Sequence, residues 1–179
     1  TCGLTASAPT NLAHIGSISG KTITWIESTP YPISLSMTRV IVLPDGRILS
    51  IGGYTGSVNV NNVYFGTVSG DSITWVAGTP FPILIRAGSL SLLPDGRVLY
   101  VGGYGSPSVV ANTYFGTISG NTITWVAGTA LPTVSYTHST TILPDGRILV
   151  TGGYNASAAM NNTYFGTISG NTITWVAGT

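Results

Sequence analysis

Charged side chains are scarce in this sequence. Asp, Glu, Lys and Arg make up only 6% of its 179 residues, against about a quarter in an average soluble domain. The formal net charge is +1, and the six basic residues form no cluster. Binding to nucleic acid or to an anionic membrane requires many Lys or Arg side chains close together. We therefore expect neither nucleic acid nor membrane insertion among the interactions of this chain.

Cysteine and long apolar runs are also nearly absent. Cys2 is the single cysteine, so no disulfide can form within the chain. It is most simply an unpaired terminal residue, although pairing with another copy and lipid attachment are alternatives. No run of about eighteen apolar residues exists, so no transmembrane helix is predicted. The chain begins with Thr and lacks a signal-peptide pattern, which is typical of a mature or excised piece.

The residues that are present favour a folded chain outside the cytosol. Apolar residues reach 43%, which is enough for a packed core and excludes a fully disordered chain. With so few charges, the surface must consist mainly of Ser, Thr, Asn and Gly. Such a surface is more typical of proteins outside cells, so we expect an extracellular or cell-surface location.

Sequence repetition with a period of fifty residues dominates the chain. LPDGR is followed by a glycine pair and a tyrosine at 43–54, 93–104 and 143–154, and SG precedes ITW at 19–25, 69–75, 119–125 and 169–175. Residues 113–129 and 163–179 are identical. A fixed period of this length indicates a repeat architecture. We divide the chain into three units, 30–79, 80–129 and 130–179, which follow the C-terminal half of a fourth unit at 1–29.

Each unit predicts four short strands and no helix. In the first unit the strands are expected at 38–43, 47–53, 62–69 and 72–78. Pro44, Asp45 and Gly46 predict a tight hairpin turn in which the glycine takes positive φ. The glycine pair at 52–53 indicates a close backbone approach at the end of the second strand, and Gly70 with Asp71 predicts the next turn. Residues 1–29 are expected to supply only the third and fourth strands of their unit, near 13–18 and 22–27.

These motifs resemble kelch repeats, including those similar to the central propeller of galactose oxidase. The resemblance is carried by the glycine pairs with their following tyrosines, by Asn-x-x-Tyr in the third strand, and by a tryptophan in the fourth strand. It implies an all-β fold, a β-propeller of four-stranded antiparallel blades with a strict 50-residue repeat. About 3.5 blades lie in this chain.

The resemblance leaves the closure of the ring open, because kelch propellers usually close with about six or seven blades. Three explanations remain: a portion of a longer array, an assembly of copies into a ring or filament, and an engineered or evolutionary half-propeller. We favour the longer array, with assembly of copies second. The expected partners are therefore further blades of the same array or other copies of the chain.

Binding is expected on the face of the propeller that carries the variable loops. The turns between strands one and two and between three and four are nearly invariant, whereas the other connections differ from unit to unit. Loops that vary on a rigid scaffold are where recognition concentrates, and Tyr- and Ser-rich loops suit glycans or protein surfaces. The candidate ligand-binding residues are Arg39, Arg86, Tyr104, Tyr136, His138 and Asn155. Structural roles in packing are the alternative for Arg86 and His138, and still more so for Tyr104 and its counterparts Tyr54 and Tyr154, which recur at equivalent positions.

Catalysis is not predicted. General acid–base chemistry needs carboxylates or histidines brought together, but the carboxylates lie mostly in turns and the two histidines are isolated. The Tyr, His and Cys set of a galactose-oxidase-like copper site is missing, so no metal or cofactor is expected. We predict a non-catalytic, structural or adhesive module, with carbohydrate among its candidate ligands. The alternatives are a self-assembling ring or fibre protein and the scaffold of an enzyme or lectin whose site lies outside this chain.

Overall fold

The computed structural model describes residues 8–178, so Cys2 lies outside the described residues. Its regular structure consists of fourteen strands, and residues 8–178 form no helix, hence none long and apolar enough to cross a membrane. The strands are β1 (Ala13–Ser19), β2 (Thr22–Ser28), β3 (Arg39–Val42), β4 (Ile48–Tyr54), β5 (Asn59–Ser69), β6 (Ser72–Ala77), β7 (Ser89–Leu92), β8 (Val98–Tyr104), β9 (Val109–Ser119), β10 (Thr122–Ala127), β11 (Ser139–Ile142), β12 (Ile148–Thr151), β13 (Thr163–Ser169) and β14 (Thr172–Ala177).

The strands form four antiparallel sheets in chain order. Sheet I contains β1 and β2, sheet II contains β3 to β6, sheet III contains β7 to β10, and sheet IV contains β11 to β14. Within each sheet, neighbours in sequence are neighbours in space. The prediction of an all-β chain with four-stranded antiparallel sheets is confirmed.

The turn between the first two strands of sheet II follows the predicted chemistry. Gly46 has a φ of 83°, and its N–H donates to Leu43 O over 2.9 Å. The Asp45 carboxylate accepts the backbone N–H of Arg47 over 3.0 Å and the Nε–H of the same residue over 2.8 Å. These bonds from Arg47 hold the pKa of the Asp45 carboxyl below its ordinary value. Asp and Arg of this motif therefore serve the turn.

The third strand of sheet II is longer than predicted. β5 begins at Asn59, and after an irregularity at Ile51/Gly53 its first residues pair with the end of β4, where Gly53 lies opposite Val60. β9 extends in the same way in sheet III. The predicted strand began too late because the additional residues at its start belong to the stretch that varies between units. A paired hairpin end therefore carries some of the variable sequence.

The glycine pairs connect each sheet to the next. Gly53 N–H donates to Ile85 O over 2.8 Å, and Gly103 N–H donates to Ser135 O over 2.7 Å. A Cβ atom on Gly102 would lie 2.5 Å from Ser135 O, a distance that real Cβ atoms do not reach. The pairs therefore allow the backbone that enters one sheet to lie directly on the end of the preceding sheet.

Apolar side chains fill the space between neighbouring sheets. Between sheets III and IV, Phe115 and Val101 of one sheet meet Ile148 and Val150 of the other. The interface between sheets II and III uses residues at equivalent positions: Ile51, Phe65, Val98 and Tyr100. All of these side chains are almost fully buried. Two repeats of one interface thus hold sheets II, III and IV in sequence.

An arginine adds a polar contact to each interface. Arg47 Nη1 donates to Gly120 O and to Asn121 Oδ1, both over 2.8 Å. Its guanidinium carbon also lies 4.8 Å from the centre of the Phe65 ring. Fifty residues later Arg97 makes the same bonds to the next sheet. The PDGR motif therefore shapes a turn and joins two sheets at once.

Replacing Gly102 by alanine should destabilise the chain much more than replacing Gly152. Both glycines have a φ near 60°, so either substitution incurs about 1 kcal/mol of left-handed strain. Gly102→Ala also collides with Ser135 O, whereas the nearest atom to a Cβ on Gly152 lies 3.6 Å away. We expect a total loss of about 3 kcal/mol for Gly102→Ala, measured by urea unfolding. Equal losses for the two variants would contradict the proposed role of the inter-sheet contact.

Candidate functional site

The variable connections all lie on one edge of the sheets. In an antiparallel sheet the turns between strands one and two and between three and four share an edge, so the remaining connections share the opposite one. In sheets II and III these connections are the loops 55–58 and 105–108 and the entry segment 78–88, with a second entry segment at 128–138. Together they form one face of the chain, which we call the variable face.

Short antiparallel bridges fix the side chains at this face. The residue three places before the first strand of each four-stranded sheet pairs with the tyrosine that follows the glycine pair, as Arg86 does with Tyr104. Arg86 N–H donates to Tyr104 O over 3.0 Å, and Tyr104 N–H donates back over 2.7 Å. Tyr136 and Tyr154 are joined by the same two bonds, each 2.9 Å long. The backbone thus places one entry residue and one tyrosine side by side in each unit.

These pairs join into one row of stacked side chains, which we call the tyrosine–arginine row. Arg86 lies between two rings, with its guanidinium carbon 4.2 Å from the centre of Tyr54 and 4.6 Å from that of Tyr104. Tyr104 meets Tyr136 edge to face at 5.6 Å, and Tyr136 lies 6.0 Å from Tyr154. The row crosses from sheet II to sheet IV.

A groove of about 290 Å³ opens beside Arg86. Its polar lining comes from Ser57 and Asn59 on one side and from Tyr104 and Ser106 on the other. Arg86 is the single charged residue in the lining of the groove, which includes no Asp, Glu or Lys. The groove lies between the loops of two units, where the variable sequence of both contributes to its lining.

Asn59 holds the two walls of the groove together. Its side-chain amide donates to Tyr104 O over 3.1 Å and to Gly105 O over 2.5 Å. The side chain is 9% exposed, so these bonds are shielded from water. Because one wall is tied to the other by buried hydrogen bonds, we expect the groove to keep its shape without a ligand.

Arg39 lies away from the row, where β3 of sheet II contacts β7 of sheet III. Its Nε–H donates to Gly88 O, and Gly88 N–H donates to the Tyr100 hydroxyl over 3.3 Å. Burial raises the pKa of Tyr100, which therefore stays protonated. This geometry gives Arg39 a role in joining sheets.

His138 is buried, with 5% of its surface exposed. It packs beside Gly102 and Gly153, at the joint between sheets III and IV. Burial, with a smaller contribution from the charge of Arg39, lowers the pKa of His138 to about 4. The imidazole is therefore neutral near pH 7, and its position favours packing over ligand binding.

The side chain of Asn155 forms hydrogen bonds within its own loop. Its Oδ1 accepts the backbone N–H of Ser157 over 2.7 Å and that of Ala158 over 2.8 Å. This arrangement is an Asx turn, in which the side chain shapes the backbone. Its acceptor oxygen is thus already engaged.

Of the residues predicted for binding, the structure brings together Arg86, Tyr104 and Tyr136. Tyr54, for which the repeat pattern predicts a packing role, and Asn59, which is not among the predicted residues, both line the groove. The signal for Tyr54 was available, because it occupies the same position as Tyr104 in the repeat. No such signal existed for Asn59, since the next unit has Val109 there.

Groups suited to metal chemistry are not assembled in the described chain. Among residues 8–178, no three His, Cys, Asp or Glu side chains come close enough to hold a metal ion. Three of the carboxylates, those of the PDGR turns, pair with the arginine two residues later.

The groove beside Arg86 offers the guanidinium of Arg86, the hydroxyl groups of its serines and tyrosines, and the side-chain amide of Asn59.

Comparison with known proteins identifies the fold alone. No family model and no curated protein matches the sequence. Among solved structures, that of YjhT is similar, with a TM-score of 0.73 and 16% sequence identity over 91% of this chain. The match covers 52% of YjhT, so the chain spans about half the length of that protein.

Acid should destabilise the chain through His138 well above the pH at which carboxylates titrate. Between the ordinary histidine pKa of about 6.5 and the folded value of about 4, the unfolded chain binds a proton that the folded chain does not. The contribution of neutral His138 to the free energy of unfolding is therefore fully present above pH 6.5. It falls with decreasing pH, by up to about 1.4 kcal/mol per pH unit. Urea unfolding at several pH values measures this slope.

His138→Gln should flatten the slope between pH 6.5 and 4. The matched control is His14→Gln, which removes the exposed histidine of β1 and should leave the slope as it is. A slope unchanged by His138→Gln would show that other groups are responsible.

Proposed function

We propose that the chain is a segment of a kelch-like β-propeller and that its four sheets are whole or incomplete blades. In this proposal it is a non-catalytic, extracellular or cell-surface module with a structural or adhesive role. It assembles with further blades of the same array or with other copies, and its variable face binds a glycan or a protein.

The observation that carries this proposal is the exposure of interface residues at the two ends of the array. Ile73, Ile123 and Ile173 occupy equivalent positions and are 3 to 6% exposed. Ile23 is at the same position in sheet I and is 49% exposed. The nearby Trp25 is 63% exposed, whereas its three counterparts are half-buried. Sheet I therefore presents an uncovered copy of the face that the other sheets bury.

Sheet IV presents the complementary face at the other end. Phe65 and Phe115 are 1% exposed because the following sheet covers them, but the equivalent Phe165 is only half-buried. Arg147 keeps its ion pair with Asp145. Within residues 8–178, however, it lacks the inter-sheet bonds that Arg47 and Arg97 make. Exposed apolar surface of this kind marks an interaction site, and the matching faces favour one more unit or copy at each end.

Similarity to a structure about twice as long as the matched region agrees with this proposal. The exposed faces of sheets I and IV match the faces that are buried between the other sheets. A further unit can therefore be added at either end through the same contacts that join sheets II, III and IV. Self-assembly into a ring or filament is the second candidate, because the two exposed faces belong to one chain and are complementary to each other.

Self-association should depend on the two end faces. If copies join through them, light scattering on size-exclusion fractions should give a mass above the 18.5 kDa of the chain. Ile23→Glu or Phe165→Glu should return the protein to that mass, because each buries a charge in the contact. Val58→Glu, on an exposed loop residue, is the matched control and should still associate. A wild-type chain that is folded at 18.5 kDa at all concentrations would exclude self-assembly.

Glycan binding on the variable face should be sensitive to Tyr136 and Arg86. We expect Tyr136→Ala and Arg86→Ala to reduce the glycan-array signal of the wild-type protein by about tenfold, the loss typical of residues at the centre of a contact. Asp145→Asn alters a turn on the opposite edge and should have no effect. Binding that survives both substitutions on the variable face would place the site elsewhere.

A further inference from the structure

Arg86 differs from the other arginines in the described chain. Arg47, Arg97 and Arg147 form ion pairs with aspartates, and Arg39 donates to a carbonyl. Within residues 8–178, the guanidinium of Arg86 contacts two tyrosine rings but makes no hydrogen bond or ion pair. An arginine remains charged at any ordinary pH, so within the described residues a half-buried positive charge lies in the groove with no Asp or Glu in its lining.

Two tyrosine rings restrain the guanidinium of Arg86. Its central carbon lies 4.2 Å from the centre of the Tyr54 ring and 4.6 Å from that of Tyr104, and both tyrosines are held by backbone bridges. The N–H groups of a guanidinium point outward in its plane and match the two oxygens of a carboxylate. Since the rings already restrain the side chain, little of its freedom is lost when an anion binds.

The surroundings of Arg86 favour a small anion with hydroxyl groups. Ser57 and Ser106 line the same groove and provide hydroxyls that both donate and accept. A volume of about 290 Å³ lies at the lower limit of small-molecule sites. One arginine balances one negative charge, which fits a carboxylate better than a doubly charged phosphate.

The site occurs once in the described chain. The positions equivalent to Arg86 are Ser36 in the first unit and Tyr136 in the third. Only the joint between sheets II and III therefore has a cation between two tyrosines. A substitution at this position changes one site and leaves the rest of the tyrosine–arginine row in place.

We propose that the groove between loops 55–58 and 105–108 binds a small hydroxylated carboxylate, paired in the plane of the Arg86 guanidinium between Tyr54 and Tyr104. The proposal rests on the binding role of the variable face proposed above and specifies its ligand class.

Titration followed by amide NMR tests the ligand class directly. The probe is D-gluconate, and the matched neutral molecule is sorbitol, which has a hydroxymethyl group in place of the carboxylate. We expect gluconate to shift the amide signals of Ser57 and Gly105 saturably, and sorbitol and inorganic phosphate to bind at least tenfold more weakly. Equal binding of sorbitol or phosphate would overturn the carboxylate assignment. Acetate that binds as tightly as gluconate would overturn the role of the hydroxyls.

Substitutions of Arg86 test whether its guanidinium binds the carboxylate. Arg86→Gln should weaken gluconate binding at least tenfold, and Arg86→Lys should weaken it as well, because an ammonium lacks the planar pair of donors. Lys21→Gln removes one positive charge from an exposed position and should bind as the wild type does. Unchanged affinity in Arg86→Gln would overturn the proposal.

Ser57→Glu provides a second test that keeps Arg86 and its stacking. Ser57 is exposed and lines the groove, so a glutamate there should pair with Arg86 and exclude gluconate. A thermal melt confirms that each variant is folded. Binding retained in Ser57→Glu would contradict the proposed position of the ligand.

Failure of the proposed ligand class can be distinguished from failure of the proposed binding role of the variable face. If gluconate fails to bind but Tyr136→Ala reduces the glycan-array signal, only the ligand class is wrong. If neither experiment gives a signal, glycan binding by the variable face fails with it. The test of self-association is independent of both.

Discussion

The structure depends above all on the contact between a glycine pair and the backbone of the next unit. Where Gly103 donates to Ser135 O, the chain that enters sheet IV lies directly on the end of β8. This contact sets how closely two sheets approach, and the apolar cluster and the arginine bonds can form only at that separation. Side chains larger than hydrogen at the first glycine would push the sheets apart and open the interface that buries Phe115 and Val150.

Much of the architecture could be predicted because repetition allows comparison within one sequence. The strands, the PDG turn and the glycine approach followed from patterns that occur three times. The extension of β5 was missed because its first residue, Asn59, is replaced by Val109 and Ala159 in the other units. A local, unrepeated sequence offers no internal comparison, and pairing beyond an irregularity is decided by the neighbouring strand.

The candidate site was predictable only to a limited extent, for a related physical reason. Variation between units directed attention to one edge, but it did not distinguish a side chain that faces a groove from one that closes an interface. Arg39 and His138 belong to the joints between sheets, and only their contacts with Gly88 and Gly102 reveal it. Arg86 and Tyr54 come from different units, thirty-two residues apart, so their stacking is a property of how two sheets meet.

The bonds of Arg47 and Arg97 have a consequence for how such a chain can change its length. Each connects a turn to carbonyl and amide groups 73 and 74 residues further along. Gene duplication that inserts a whole fifty-residue unit recreates every donor and acceptor of the interface, whereas a change of length within a strand or one of these turns moves them out of register. The number of repeats can thus change in evolution while the strands and turns keep their lengths, and new binding residues can arise in a duplicated loop without any adjustment of the scaffold.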